Sequence, residues 1–366
     1  MSTPDAPATE QAVPPPRTTG SGTARAVKRV HRDDVDLLRL LGSAGVILSH
    51  VGAQYIAAVQ KDPANGSGAY WAGMSVDSFG AYAVPVFFAI AGWAVLVGAP
   101  PKDSARMGRR LKKTLIPMFV WTALYILWAR FRDTHEDPVA ELAVGSLFGS
   151  VRPAYHLWFM YAYLPVIVLL AFVVLLRAGQ RPWALGAVLA VVAAGPQLFA
   201  DIGELGGVEL PRFGWGFGVY SLVYAVLGAL LIGLTSRGGR RARFVWAGIA
   251  LAAAGTVLWY QSQVHYAMPN ASVVGGVFMA AVILAVSRLR LPERVRPVTK
   301  RLAGAGLGAY FCHVLVIDLV ARPFVSADAS PAAAWAQVLG LTALVICCSF
   351  AASLAWQRIG LQKYLG

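Results

Sequence analysis

The chain alternates long apolar runs with short polar ones. Runs of about 17–25 apolar residues match a ~30 Å hydrocarbon core at 1.5 Å rise per residue. Ten such runs occur, at 35–57, 79–99, 114–131, 157–176, 183–200, 215–235, 243–260, 272–287, 302–321 and 335–357. The pattern predicts an all-α integral membrane fold of about ten transmembrane helices. The runs at 183–200 and 243–260 are short and lean on Gly and Ala. Residues 1–32, rich in Pro, Thr, Ala and Ser, lack apolar periodicity. They predict a disordered tail ahead of a ten-helix domain spanning 33–366. The first apolar run follows Lys28, Arg29 and Arg32, so it should anchor rather than be cleaved. The connections 58–78, 132–156, 201–214, 261–271 and 322–334 read as loops on one face, too short for a separate domain.

Within the first run the polar positions are not scattered. At 100° per residue, Asp36, Arg39, Ser43, Val46, His50 and Gln54 fall within an arc of about 80°. Five of these six are polar, and the rest of the helix is mostly aliphatic. An ionisable side chain at membrane depth costs about 2.5–3.5 kcal/mol on insertion scales, so such residues face protein or water. Asp36 and Arg39, three apart, can pair near one end. His50 lies eleven residues beyond Arg39, about 16.5 Å along the axis. The stripe therefore joins an anion-binding end to a deep imidazole, the side chain best placed to take and return a proton near neutral pH. Plainer roles stay open: a hydrogen-bonded structural His50, and an Arg39 that snorkels to the interface.

Composition explains why this stripe is legible. The chain is 57% hydrophobic and only 14% charged, against about 25% charged in a soluble domain. That excludes a soluble enzyme, a disordered protein and a disulfide scaffold. The net charge of +14 could suggest nucleic acid, but its position argues otherwise. With the N-terminus inside, twenty-five Lys and Arg fall on the cytoplasmic side and six outside, and Arg39 lies within the first run. This bias predicts both termini in the cytoplasm and an even number of spans. The charge then reports topology, and no nucleic-acid partner is expected. Cys312, Cys347 and Cys348 lie in apolar runs as small packing residues, and no metal-ligand spacing is present.

Other polar signals lie outside the first run. Arg106, Arg109, Arg110, Lys112 and Lys113 precede the third run. They read either as topology and anionic-lipid contact or as a clamp for a phosphorylated cytosolic ligand, because guanidinium forks match phosphate. Tyr155, His156, Leu157, Trp158 and Phe159 open the fourth run, where an aromatic belt accounts for Tyr and Trp. In the ninth run Tyr310, His313 and Asp318 stand among apolar neighbours. His313 and Asp318 differ by about 140° around the helix, which rules out a same-face dyad.

Four motifs carry a family resemblance. They are Asp36-x-x-Arg39-x10-His50; the run Val84-Pro85-Val86-Phe87-Phe88-Ala89-Ile90-Ala91-Gly92-Trp93; Arg109-Arg110-x6-Pro117; and His156-Leu157-Trp158-Phe159 with Gly308-Ala309-Tyr310-Phe311-Cys312-His313. With these the chain resembles acyltransferase family 3 over nearly all of 33–357, and within it the enterobacterial common antigen O-acetyltransferases. The resemblance implies a multi-pass enzyme of the inner (plasma) membrane. Such an enzyme moves an acyl group, acetyl first among them, from cytosolic acyl-CoA to a hydroxyl of a saccharide or glycosylated acceptor. Acetyl-CoA is then a co-substrate, with no bound cofactor and no metal. It implies His50 as general base, or as a transient acyl carrier. Arg39, Arg109 and Arg110 would hold the CoA phosphates, and Asp36 would orient Arg39. His156, Trp158 and His313 become acceptor-side candidates. Ala91 departs from the family pattern, which has Ser before the Gly. The competing class is a saccharide or lipid-precursor transporter or flippase, with the stripe lining a pathway and His50 as proton relay.

Overall fold

A computed structural model describes residues 31–234 and 239–366, and no strand occurs among the described residues. The predicted tail, apart from His31 and Arg32, lies outside them. In chain order the helices are α1 Asp33–Ala58, α2 Ser67–Gly80, α3 Ala83–Trp93, α4 Ser104–Phe131, α5 Val139–Phe148, α6 Trp158–Arg177, α7 Trp183–Gly206, α8 Val219–Gly233, α9 Arg240–Gln263, α10 Val273–Val286, α11 Arg296–Val316, α12 Pro331–Arg358 and the short α13 Gln362–Leu365.

Nine of the ten apolar runs each fall on one helix, while 79–99 takes in the end of α2 and all of α3. Eight helical stretches are long and apolar enough to cross a membrane, while α8 and α10 are apolar but shorter. At 15 and 14 residues, these two fall below the about 20 residues that a perpendicular crossing needs.

Two segments expected to be loops carry helices. The stretch 58–78 contains most of α2, and 132–156 contains α5 and a 3-10 turn at Arg152–Leu157. Gly68, Gly73 and Asp77 dilute the hydropathy of α2, yet Tyr70, Met74 and Val76 are buried in one cluster with Ile47, Val51, Tyr55 and Ile56 of α1. The run read as a single span at 79–99 is broken at residues 81–82. Pro85 has no N–H to give the carbonyl of Ala81, so the helical ladder is interrupted there. Gly80 lets α2 seat closely, because a Cβ at that position would overlap Ser49 and the Gly45 carbonyl.

Helix α1 is central, packing on α2, α3, α11 and α12. Its first turn carries Asp33, Asp34 and Asp36, a favourable place for negative charge at a helix N-terminus. Buried carboxylates need partners, and the segment between α10 and α11 supplies them. Arg296 Nε donates to Asp33 at 3.0 Å and the Arg288 backbone N–H to Asp34 at 2.6 Å. Arg32 closes the pair on Asp34 at 2.7 Å. The helix bearing the polar stripe is thereby fixed at one end.

Candidate active site

The stripe of α1 lines three cavities in succession. Arg39 and Ser43 belong to the first, Val46 and His50 to the second, and Gln54 to the third. They are called here the inner, middle and outer cavities, and enclose about 230, 260 and 330 Å³ respectively.

In the inner cavity Arg39 donates to Asp36 at 2.9 Å while remaining 39% exposed. Arg110 of α4 joins it on the lining, with Thr114, Tyr163, Ile90 and Ala91. Arg109 is exposed and does not line this cavity. Adjacent residues diverge by about 100° on a helix, so the two arginines grouped by the sequence separate here. Ala91 offers no hydroxyl, but Ser43 stands on the same wall.

His50 and His156 line the middle cavity, and the fully buried His313 packs behind them. The rings of His50 and His313 lie 5.0 Å apart, His156 and His313 5.2 Å, and His50 and His156 6.5 Å. They come from α1, from the turn before α6 and from α11. His313 is tied through Nδ1 to the Tyr310 carbonyl at 2.5 Å. Its Nε2 and both ring nitrogens of His156 are buried without a protein partner. A buried polar atom left so costs about 1–3 kcal/mol, which marks a place under functional constraint. Trp158 is half-buried and faces the same cavity. Among the described residues, no group of His, Cys, Asp or Glu side chains has the arrangement of a metal site.

Tyr155 adds what the motif reading assigned to an aromatic belt. Its hydroxyl lies 3.1 Å from Nδ1 of His50, and the residue lines the outer cavity. It stands at the boundary between that cavity and the imidazole. Beyond it, Trp128 donates its indole N–H to Asp318 at 2.7 Å, and Arg322 pairs with the same carboxylate at 2.9 Å. Asp318 thus serves the outer cavity and not His313.

Sequence reasoning also missed Asp77, Gln261 and Asn270, all on the middle-cavity lining. By hydropathy Asp77 falls in the loop 58–78, and Gln261 and Asn270 lie at or beyond a span end. Neither hydropathy nor helical phase could connect them to a site on α1.

Phe87, Phe159 and Tyr310 belong to the linings of both the inner and middle cavities. The cavity lined by Arg39 and Arg110 and the cavity lined by His50 therefore meet at these aromatic side chains. Such a site can hold an anionic head at one end and carry out proton transfer at the other. A family model for the acyltransferase domain matches residues 32–354, and the chain belongs to that family, acyltransferase family 3. It is accordingly a multi-pass, all-α membrane acyltransferase. No curated protein and no solved structure matches the chain.

Proposed function

We propose that the protein is a membrane O-acetyltransferase that moves acetyl from cytosolic acetyl-CoA to a hydroxyl of a saccharide or glycosylated acceptor. The observation that carries this reading is the sharing of one helix by Arg39 and His50, in neighbouring cavities with a common aromatic wall. In this reading ten crossings place both termini in the cytoplasm. The inner cavity then opens where the polyanionic donor is found, and the resident membrane is the plasma membrane.

Arg39 and Arg110 hold the CoA phosphates by charge-assisted hydrogen bonds. Asp36 keeps the Arg39 guanidinium in register, and Arg109 adds positive charge at the entrance. His50 accepts the proton of the acceptor hydroxyl as its oxygen attacks the thioester carbonyl. A C–O bond forms, the C–S bond breaks, and the proton returns to the departing thiolate to give CoA thiol. His156, His313 and Trp158 shape the acceptor side of the middle cavity. Membership of an acyltransferase family favours this reading over transport.

The test is release of CoA thiol from acetyl-CoA by the purified protein. His50→Ala should lower kcat by about 10²–10⁴, the usual contribution of one positioned base, with donor binding retained. Arg39→Ala should instead weaken acetyl-CoA binding in direct titration. Full turnover in H50A, or unchanged donor affinity in R39A, would reject the respective roles.

A further inference from the structure

The middle cavity holds one charged side chain that acyl transfer does not itself employ. Asp77 projects from α2 into the space that His50 lines from α1. Its carboxyl group has Ser49, Gln261 and Tyr266 for polar neighbours, and the Ser49 hydroxyl donates to the Asp77 backbone carbonyl at 3.1 Å. Ser49 directly precedes His50, so Asp77 is tied to the helical turn that carries the base. Tyr266 lies in the segment after α9. Burial and the Asp77 carboxylate push its hydroxyl above the ordinary tyrosine value, so it stays protonated and donates. An ionised carboxylate offers about four acceptor positions; with the Ser49 proton on a backbone carbonyl and Gln261 Nε2 donating to Ser78 at 2.9 Å, room is left on it for a ligand hydroxyl.

The remaining polar lining consists of amides and hydroxyls, chiefly Gln261, Asn270 and Ser272, beside the flat faces of Trp158 and Phe159. Histidines apart, Asp77 is the lining residue with a carboxyl group, and no Lys or Arg lines this cavity among the described residues. A carboxylate or phosphate entering it would meet like charge in a poorly screened space with no counter-cation. An uncharged polyol would meet acceptors and donors matched to hydroxyls. The outer cavity is the opposite case, with Arg152, Arg322 and His135 on its lining and Asp318 already paired with Arg322.

We infer that the acceptor is an uncharged polyhydroxyl compound whose reacting part sits in the middle cavity, and that Asp77 accepts a hydrogen bond from one of its hydroxyls while excluding anionic acceptors. Discrimination here comes from repulsion as much as attraction. The inference rests on the acyl-transfer reading.

The experiment uses the purified full chain with acetyl-CoA, a panel of neutral methyl glycosides and their matching uronides, and acceptor-free hydrolysis as a parallel measure. Wild type should favour the neutral member of a pair by about tenfold or more in kcat/KM. Asp77→Asn should bring that ratio towards one, with acceptor-free hydrolysis and KM for acetyl-CoA little changed. A merely structural Asp77 would lower all activities together. Asn270→Lys, which puts a cation on the same lining, gives an independent check should D77N not fold: it should shift preference towards uronides. Arg152→Gln should leave the ratio alone. Equal use of both members by wild type, transfer to neither despite hydrolysis, an unchanged ratio in both Asp77→Asn and Asn270→Lys, or loss of uronide transfer in R152Q would each overturn the inference. If acetyl-CoA is not consumed under any condition, the acyl-transfer reading fails first, and the result is distinct from all of these.

Discussion

A hydroxyl 3.1 Å from Nδ1 of His50 occupies that nitrogen and leaves Nε2 for the acceptor. When Nδ1–H donates to the Tyr155 oxygen, Nε2 keeps its lone pair and can act as base. Tyr155 is thus a positioning residue. Tyr155→Phe should lower kcat about tenfold and leave KM for acetyl-CoA unchanged, measured by steady-state thiol release. A raised KM with intact kcat would assign Tyr155 to ligand binding instead. Residues of this kind differ in how far sequence exposes them. Asp36, Arg39 and His50 stand out because charge is scarce along an otherwise aliphatic helix, and phase alone places them on one face. Tyr155 is masked by the ordinary abundance of tyrosine at membrane interfaces. Asp77 is masked because a carboxylate between glycines and serines resembles a loop. Its role depends on α2 lying against α1, a long-range fact without a local signature.

Among the elements, α3 and α8 approach each other closely. A Cβ added at Gly92 would overlap the Ala225 carbonyl, and one at Gly228 would overlap Ala89. Small residues let membrane helices pack by backbone proximity. Gly228→Val should therefore destabilise the protein by about 1–3 kcal/mol through overpacking, seen as a lower melting midpoint in detergent. Gly233→Ala, in open space at the end of the same helix, is the control and should melt as wild type. This contact supports the site, since α3 carries Phe87 onto the inner and middle cavities. The ten apolar runs were legible because a membrane imposes one length on every crossing. The break before Pro85 and the helix within 58–78 were not, since averaged hydropathy joins the end of one helix to the start of the next.

Over the whole molecule, the charge asymmetry is the basis for the proposed orientation. Lys and Arg concentrate on the side of Arg39 and Arg110, so donor and acceptor are expected to approach from opposite faces. In a background lacking Cys347 and Cys348, Gly179→Cys should resist an impermeant thiol reagent in intact cells, whereas Glu136→Cys should react. The reverse pattern would invert the topology and remove the donor from the inner cavity. The arrangement of the cavities bears on the energy stored across the membrane. A potential of 100 mV acts on each elementary charge with about 2.3 kcal/mol, and an uninterrupted column of water beside α1 would let protons run down it. In the proposed orientation, the side chains of Phe87, Phe159 and Tyr310, shared by the inner and middle cavities, would act as electrical insulation. They would allow chemistry to join the two faces of the membrane without short-circuiting them.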